Sequence, residues 1–331
     1  MPEQPMRAVV VSEYGPVEAL AVSESPRPEP GSGEVLIRVV SLGVGFVDGL
    51  KVQGLYQTKD PLPFIPGSEI SGVIAEVGDG VEGLKVGDSV SAQVTRGGLA
   101  EYAVAPAAAT SLLPDGVSFD VGAAFRVNYL TALYALLDRA EAKSGETMLV
   151  LGASGGTGTA AIAIGKLLGL KVIAAASSEQ KRQFAIEAGA DEAIDPTDSK
   201  WRAALKESHP QIDIVFDPVG GDLGAEAFRA LGWRGRLLVI GFASGEIPSA
   251  RYNIALLKGA SLVGVDIAQV PRRQPDTWAN LNQQLAAYLT DGRLTPALDE
   301  PVPLERVAEA FTRMTGRRAM GKVIVRVGDA G

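Results

Sequence analysis

The stretch TMLVLGASGGTG at residues 147–158, continuing into AAIAIGKLLG, decides how this chain folds. Residues 148–151 have the length and composition of a buried strand. The run breaks at Gly152, turns through Ala153-Ser154-Gly155-Gly156-Thr157-Gly158 and enters a helix of small residues over 159–168. Strand, glycine turn and helix in that order form the phosphate-cradling entry of a dinucleotide-binding unit. Glycines let backbone N–H groups approach a pyrophosphate, and the helix N-terminus adds about half a positive charge to meet it. Ala153 stands where the ideal Gly-x-Gly-x-x-Gly has its first glycine, while Gly155 and Gly158 keep the second and third. The motif lies mid-chain, so a first domain precedes the cofactor domain.

The bulk properties agree with two domains. A chain of 331 residues is long enough for two cores, and 46% hydrophobic, 21% charged and 39 glycines suit an α/β protein. The net charge of -8 argues against nucleic acid, because phosphate binding needs clustered Lys and Arg. No apolar run approaches the roughly 20 residues that span a bilayer. The opening MPEQPMRAVVV does not read as a secretory leader, so a cytoplasmic location is expected. Cysteine is absent, which excludes disulfides, a thiol nucleophile and every cysteine-ligated metal site, and no metal is expected. The single histidine, His209 in ESHPQ, reads as a loop residue, and no Gly-x-Ser-x-Gly elbow accompanies it.

Strand-like segments at 6–11, 34–42, 70–77, 88–95 and 101–105 are short, closely spaced and bounded by Gly, Pro and Asp turns, which predicts a barrel-like β domain. From about residue 118 helices and strands alternate. Residues 128–140 read as a helix, followed around the glycine turn by strands at 171–176, near 192–194, and at 212–216, 236–240 and 261–265. The alternation predicts a doubly wound parallel sheet of about six strands. Two further helices are read at 276–290 and 304–315. A closing strand at 322–327 has no neighbour in that series and is expected to return to the first domain.

NAD-binding units place an acid at the tip of the second strand to bind ribose hydroxyls. Here that strand ends Ala176-Ser177-Ser178, followed by Glu179-Gln180-Lys181-Arg182. Hydroxyls and positive charge without a carboxylate at the tip suit a 2′-phosphate, so NADPH is the expected cofactor. Two alternatives stay open: Glu179 reaching a 2′-hydroxyl, and Lys181 and Arg182 lying on a solvated helix face. Asp217 and Val219 in DPVGG, and Gly241, Phe242 and Ala243 in GFASG, close the fourth and fifth strands, where doubly wound sheets bind ligands.

Together PGSEISGVIAEVGDGVEGLKVGDSV (66–90), VNYLTALYAL (127–136), GASGGTG (152–158), AASSEQKRQFAIEAGADEAID (175–195), DPVGG (217–221) and LLVIGFASG (237–245) resemble the medium-chain dehydrogenase/reductase superfamily. The resemblance is closest to its zinc-independent quinone oxidoreductase branch. It implies an α/β chain with a GroES-like β-barrel-type catalytic domain, residues 1–124 and 268–331, and a doubly wound Rossmann cofactor domain, residues 125–267. It also implies a small-molecule substrate and a homodimer paired along the edge strand at 260–266, a pairing that an apolar edge favours on physical grounds too.

Zinc-dependent members carry Gly-His-Glu where this chain has Gly67-Ser68-Glu69. Without a Lewis acid, the reaction should suit an acceptor that is already electrophilic, a quinone or an activated C=C. The branch usually has Asn-Phe-x-Asp where this chain reads Gly45-Phe46-Val47-Asp48, and proline where it has Arg126. Phe46, Asp48 and Arg126 are therefore expected around the substrate, Arg126 either binding an anion or opening a helix in solvent. Tyr56 is the first expectation for a proton donor or an oxyanion-stabilising hydrogen bond, followed by Asn128 and Tyr129. By resemblance, Thr131 and Lys322 join Ser154, Gly155, Gly156, Thr157, Gly158, Ser177, Ser178 and Lys181 at the cofactor. Two other readings stay open: an enone or enoyl-thioester reductase, and an NADPH-binding protein of low turnover.

Overall fold

Two hydrophobic cores form from two kinds of strand, one alternating along short antiparallel segments and one continuously apolar. The computed structural model describes residues 5–328. The chain divides into two compact units, Met1–Val127 with Leu298–Gly331, and Asn128–Ala297. The first four residues of the opening segment read above lie outside the described residues, as do the last three of the chain.

In the first unit, β1 (Pro5–Val9) and β2 (Val22–Pro26) form an antiparallel ribbon. The long strand β3 (Glu34–Gly43) leads into helix α1 (Phe46–Val52). Strands β4 (Glu69–Val77), β5 (Ser89–Gln93), β6 (Tyr102–Pro106) and β7 (Thr110–Leu112) follow, and then the single turn α2 (Phe119–Gly122). Register shifts in the β3–β4 ladder at Leu36/Ile37 and Val39/Ser41 add local twist, which helps a sheet curl. Expected and observed strands agree to within two residues, whereas β2, β7 and both helices were not anticipated.

The second unit follows the alternation read from the sequence. Helix α3 (Arg126–Leu133) loosens into a π-helical stretch, Tyr134–Arg139, where one continuous helix over 128–140 was expected. Then come β8 (Thr147–Leu151), α4 (Gly156–Leu167), β9 (Lys171–Ala175), α5 (Glu179–Glu187), β10 (Glu192–Ile194) and α6 (Trp201–Ser208). The series continues with β11 (Ile214–Asp217), α7 (Gly221–Ala230), β12 (Arg236–Val239), α8 (Tyr252–Lys258) and β13 (Ser261–Gly264). All six strands are parallel, in the order β10-β9-β8-β11-β12-β13. The order reverses between β8 and β11, the place where doubly wound sheets receive ligands. Met148, Leu149, Val150, Val172, Ile173, Val215 and Phe216 are fully buried, as strands covered on both faces require.

Helices α9 (Val270–Arg273) and α10 (Pro275–Thr290) correct the sequence reading, which returned the chain to the first domain at residue 268 and left it at 124. The structure keeps residues up to Ala297 with the second unit and ends the first segment at Val127. An amphipathic helix shows that it has a buried face without showing which core that face serves. The first ladder contact of the returning chain is the bridge Leu298–Lys322. After β14 (Val302–Pro303) and α11 (Val307–Thr315), β15 (Ile324–Arg326) pairs antiparallel with β3, as its lack of a Rossmann neighbour implied. The first unit's main sheet therefore runs β14-β15-β3-β4-β5-β7, with β6 also on β3. No helix among the described residues is long and apolar enough to cross a membrane.

A forked ion pair closes the bottom of the Rossmann sheet. Arg236, opening β12, meets both oxygens of Glu146 at 2.9 Å and the carbonyl of Ala140 at 2.8 and 3.0 Å. Burial opposes ionisation of Glu146, but the guanidinium and the N–H of Lys143 outweigh it and hold the carboxyl below its ordinary value of 4.5. Arg236→Met should lower stability by about 1–3 kcal/mol at neutral pH. A depressed carboxyl stabilises above its unfolded value and loses that contribution as pH falls, so the difference between wild type and variant should shrink below pH 4.5. Denaturant melts across that range measure both effects.

Candidate active site

Strand β8 delivers the chain to Gly152, whose φ of 58° lies in the left-handed region that glycine tolerates best. Gly155 N–H bonds back to the Gly152 carbonyl at 3.0 Å and then caps α4, a helix of 12 residues. The helix thus begins at Gly156, three residues earlier than the sequence suggested. Its first N–H groups have no intrahelical acceptor. A Cβ on Gly158 would lie 2.3 Å from the Gly152 oxygen, so this turn closes only around glycine. A Cβ on Gly155 would meet nothing nearer than 3.5 Å, which leaves open space beside the turn. Thr157 Oγ1 donates to Asn128 Oδ1 at 3.1 Å, bringing together two residues that sequence reading placed at the site for different reasons. Ser154 is buried in the turn, and Thr131 is buried on α3.

At the tip of β9, Ser177 and Ser178 are exposed and Lys181 is half-buried. Ser178 also caps α5 by accepting the Lys181 N–H at 3.3 Å, which leaves its O–H available to donate. Arg182 turns away to the Ala176 carbonyl at 3.1 Å and Asp195 at 3.0 Å, so the open alternative of a solvated pair does not describe it. The ends of β11 and β12 are zipped by Ala243 N–H to Pro218 O at 3.0 Å and Ser244 N–H to Val219 O at 2.9 Å. Gly241, Ala243 and Val219 are half-buried there and Phe242 is exposed. The carboxylate of Asp217 is buried and accepts the Val219 and Gly220 N–H groups at 2.8 Å each, which shapes the turn at the end of β11.

In the first unit the structure gathers Arg126 and Lys322 around Glu69, which sequence reading quoted in Gly67-Ser68-Glu69 but gave no role. Glu69 is 1% exposed. One of its oxygens accepts the backbone N–H groups of Arg126 and Val127 at 2.7 and 3.0 Å, and the other meets Lys322 Nζ at 2.7 Å. A Cβ on Gly43 would sit 2.6 Å from Lys322 Cε, so the bare glycine lets the lysine stem pass over β3. Lys322, expected at a cofactor ribose, has its ammonium committed inside this unit. Arg126 is buried too, with its guanidinium on Ser111 Oγ at 2.9 Å, so it does not open its helix in solvent.

Asp48 is likewise buried, and its Oδ2 accepts the Gly45 N–H at 2.9 Å at the start of α1. Burial pushes its carboxyl above the ordinary range, opposed by the Gly45 N–H, the charges of Lys322 and Lys51, and the Ser68 hydroxyl. Phe46 is exposed, and Tyr56 is half-buried on the turn after α1. Tyr129, the other tyrosine expected at the site, is buried on α3, where burial raises its phenol above the usual range against a weaker pull from the Ala297 N–H.

The sequence matches the models of the alcohol dehydrogenase GroES-like domain over residues 31–115 and of the zinc-binding dehydrogenase over residues 156–287. It is 37% identical over 308 residues to quinone oxidoreductase-like protein 2 of Bos taurus, covering 91% of this chain and 87% of that one. It is 34% identical to the quinone oxidoreductase of Homo sapiens, with 97% of each chain covered. The chain belongs to the quinone oxidoreductase branch of the medium-chain dehydrogenase/reductase superfamily. A mycobacterial protein solved in complex with NADPH superposes with a TM-score of 0.89 at 29% identity, over 97% of this chain and all of that one.

The zinc named by one of these models finds no donor set here. Cysteine is absent from the sequence, Ser68 stands beside Glu69, and both oxygens of Glu69 are engaged by N–H donors. Among the described residues no three His, Asp or Glu come together as metal ligands.

Removing one partner of a buried pair strands the other. Lys322→Met should therefore destabilise the first unit by about 3–5 kcal/mol, while Glu69→Gln combined with Lys322→Met should recover part of that loss. Equilibrium denaturation of the three variants tests this; additive losses would show that the pair does not act as one.

Proposed function

We propose that this chain is an NADPH-dependent, zinc-independent reductase acting on a quinone or another electrophilic α,β-unsaturated carbonyl compound. The observation that carries the reading is the glycine cradle before α4, combined with an acid-free tip on β9 where Ser177, Ser178 and Lys181 stand. The NADPH in the mycobacterial relative's complex supports the same assignment.

The backbone of residues 154–158 would hold the pyrophosphate, and the two serines and Lys181 the 2′-phosphate. Val219, Gly241, Phe242, Ala243 and Thr131 would flank the nicotinamide half. When bound, NADPH supplies a hydride equivalent. Tyr56 would hydrogen-bond the acceptor oxygen as charge builds there, a role its half-buried position on an accessible turn allows and the buried Tyr129 does not. With no metal donor set, polarisation must come from such hydrogen bonds, which suits an acceptor that is electrophilic in its own right. Gly45 favours enones and enoyl thioesters as the second reading. No side chain projects at this position, and a Cβ there would sit 3.0 Å from Asp48 Oδ2.

A homodimer is part of the proposal. β13 pairs with β12 along one edge, Leu262 on it is exposed, and Tyr252, Leu256 and Leu257 beside it are more than two-thirds exposed. An unpaired apolar edge of this kind is a template for a second copy. Sedimentation should show two chains, and replacing both Leu256 and Leu257 by Glu should yield one.

Gly155→Ala tests the cradle. The added methyl meets only ordinary contacts, so stability should change by less than about 0.5 kcal/mol. It fills the space assigned to the pyrophosphate, so NADPH affinity should fall by about tenfold or more. Unchanged affinity by fluorescence titration would overturn the assignment. A panel of quinones and enones with NADPH and NADH in parallel tests the reaction: preference for NADPH and steady oxidation are expected, and binding without turnover across the panel would leave a binding protein.

A further inference from the structure

The tip of β9 carries no acid, but the tip of the strand beside it does. β10 runs parallel to β9 with Ile194 opposite Ala175, and the Ala176 N–H meets the Ile194 carbonyl at 3.2 Å. The same register sets Asp195 across from Ala176, one strand spacing of about 4.8 Å away and just short of Ser177 and Ser178. Its side chain is 36% exposed, and an aspartate in such a place is ionised at neutral pH. A 2′-phosphate at Ser177, Ser178 and Lys181 would meet that carboxylate as a like charge.

An arginine answers it. Arg182 on α5 places one nitrogen, Nη1, on Asp195 Oδ2 at 3.0 Å and on the Ala176 carbonyl at 3.1 Å. The other oxygen of Asp195 accepts the Thr197 hydroxyl at 2.6 Å and the Thr197 N–H at 2.9 Å. Arg182 also gives its backbone N–H to the Ser178 carbonyl at 2.9 Å. The tip of β9, the start of α5 and the end of β10 are thus tied into one cluster, all of it inside the second unit. An ion pair this exposed adds little to folding stability, so its effect lies in the charge it sets beside the strand tip.

We propose that Arg182 is a specificity-determining residue for the phosphorylated cofactor, acting through Asp195. The inference rests on placing the 2′-phosphate at Ser177, Ser178 and Lys181. By neutralising Asp195 the guanidinium removes the one acid on the neighbouring strand tip that would repel the phosphate. The 2′-hydroxyl of NADH carries no charge and gains little from that neutralisation. Lys181 then serves as the direct cation, while Arg182 stays one step behind it on the carboxylate. Glu179, exposed on the first turn of α5, is the other acid close in sequence, and no arginine contact of this kind ties it to the strand tips.

Calorimetric titration with adenosine 2′,5′-bisphosphate and adenosine 5′-monophosphate reads this subsite without any hydride transfer. Wild type should prefer the bisphosphate. Arg182→Met should lower bisphosphate affinity by about tenfold and leave the monophosphate within twofold. Arg182→Lys should keep most of the preference. Adding Asp195→Asn to Arg182→Met should restore it, whereas adding Glu179→Gln should not. Asp195→Asn alone leaves a cation without its anion beside the subsite, so bisphosphate affinity should rise; this arm decides if Arg182→Met fails to fold. The gap between wild type and Arg182→Met should narrow in 1 M salt, where charges are screened beyond about 3 Å. An equal loss for both nucleotides, a loss that Asp195→Asn leaves in place, or weaker bisphosphate binding by Asp195→Asn alone would overturn the proposal. Should Ser178→Ala and Lys181→Met leave the wild-type preference untouched, the placement of the 2′-phosphate fails, and the inference with it.

Discussion

One buried carboxylate organises the first unit. Glu69 lies on the strand that follows Ser68 and takes two backbone N–H groups on one oxygen and the Lys322 ammonium on the other. The two N–H groups belong to Arg126 and Val127, the last residues before the chain leaves for the second unit, and Lys322 stands just ahead of the closing strand after its return. One side chain thus joins the end of the unit's first sequence segment to the closing part of its second. A charge this deep is tolerable only when every lone pair is met, which makes the three donors interdependent. Gly43 is part of the same constraint, because any side chain there would collide with the Ala123 carbonyl and the lysine stem.

At the carboxyl ends of its strands the Rossmann unit relies on local bonds. Short side chains close on their own backbone, as Asp217 does on Val219 and Gly220 and Ser178 on Lys181. Such local bonds fix the turns at the carboxyl ends of the strands and leave the N–H groups at the start of α4 for an outside anion. The acid at the end of β11 thus serves as scaffolding for its turn.

This difference explains which parts were legible. Strand, glycine turn and helix are local, so all six parallel strands could be placed from apolar periodicity, and Gly152 and Gly158 were identified by the turn they must make. Asp217 was read correctly as a strand-end residue, but its bonds to the Val219 and Gly220 N–H groups were not foreseen, because spacing shows position and not the direction of a side chain. The role of Glu69 was invisible. Its partner Lys322 lies 253 residues away, and a Glu in a glycine-rich β segment has no periodicity to betray it. The unit boundary at 297 was missed for a related reason: the apolar faces of α9 and α10 are plain in sequence, but the core they join is a tertiary fact.

The absence of zinc donors and the presence of buried acids belong to one argument. A Lewis acid both polarises an oxygen and lowers the proton affinity of what binds it; a chain without the donor set must divide those tasks among side chains. Glu69, with all its donors in place, is committed to holding backbone and Lys322. Asp48, a helix-capping acid on the neighbouring segment, is the carboxyl whose surroundings disfavour its charge. The two acids of this unit are thus held by different means, Glu69 by two backbone N–H groups and an ammonium drawn from distant parts of the sequence, and Asp48 by the N–H three residues before it at the start of α1, so only the first ties the ends of the unit's two sequence segments together.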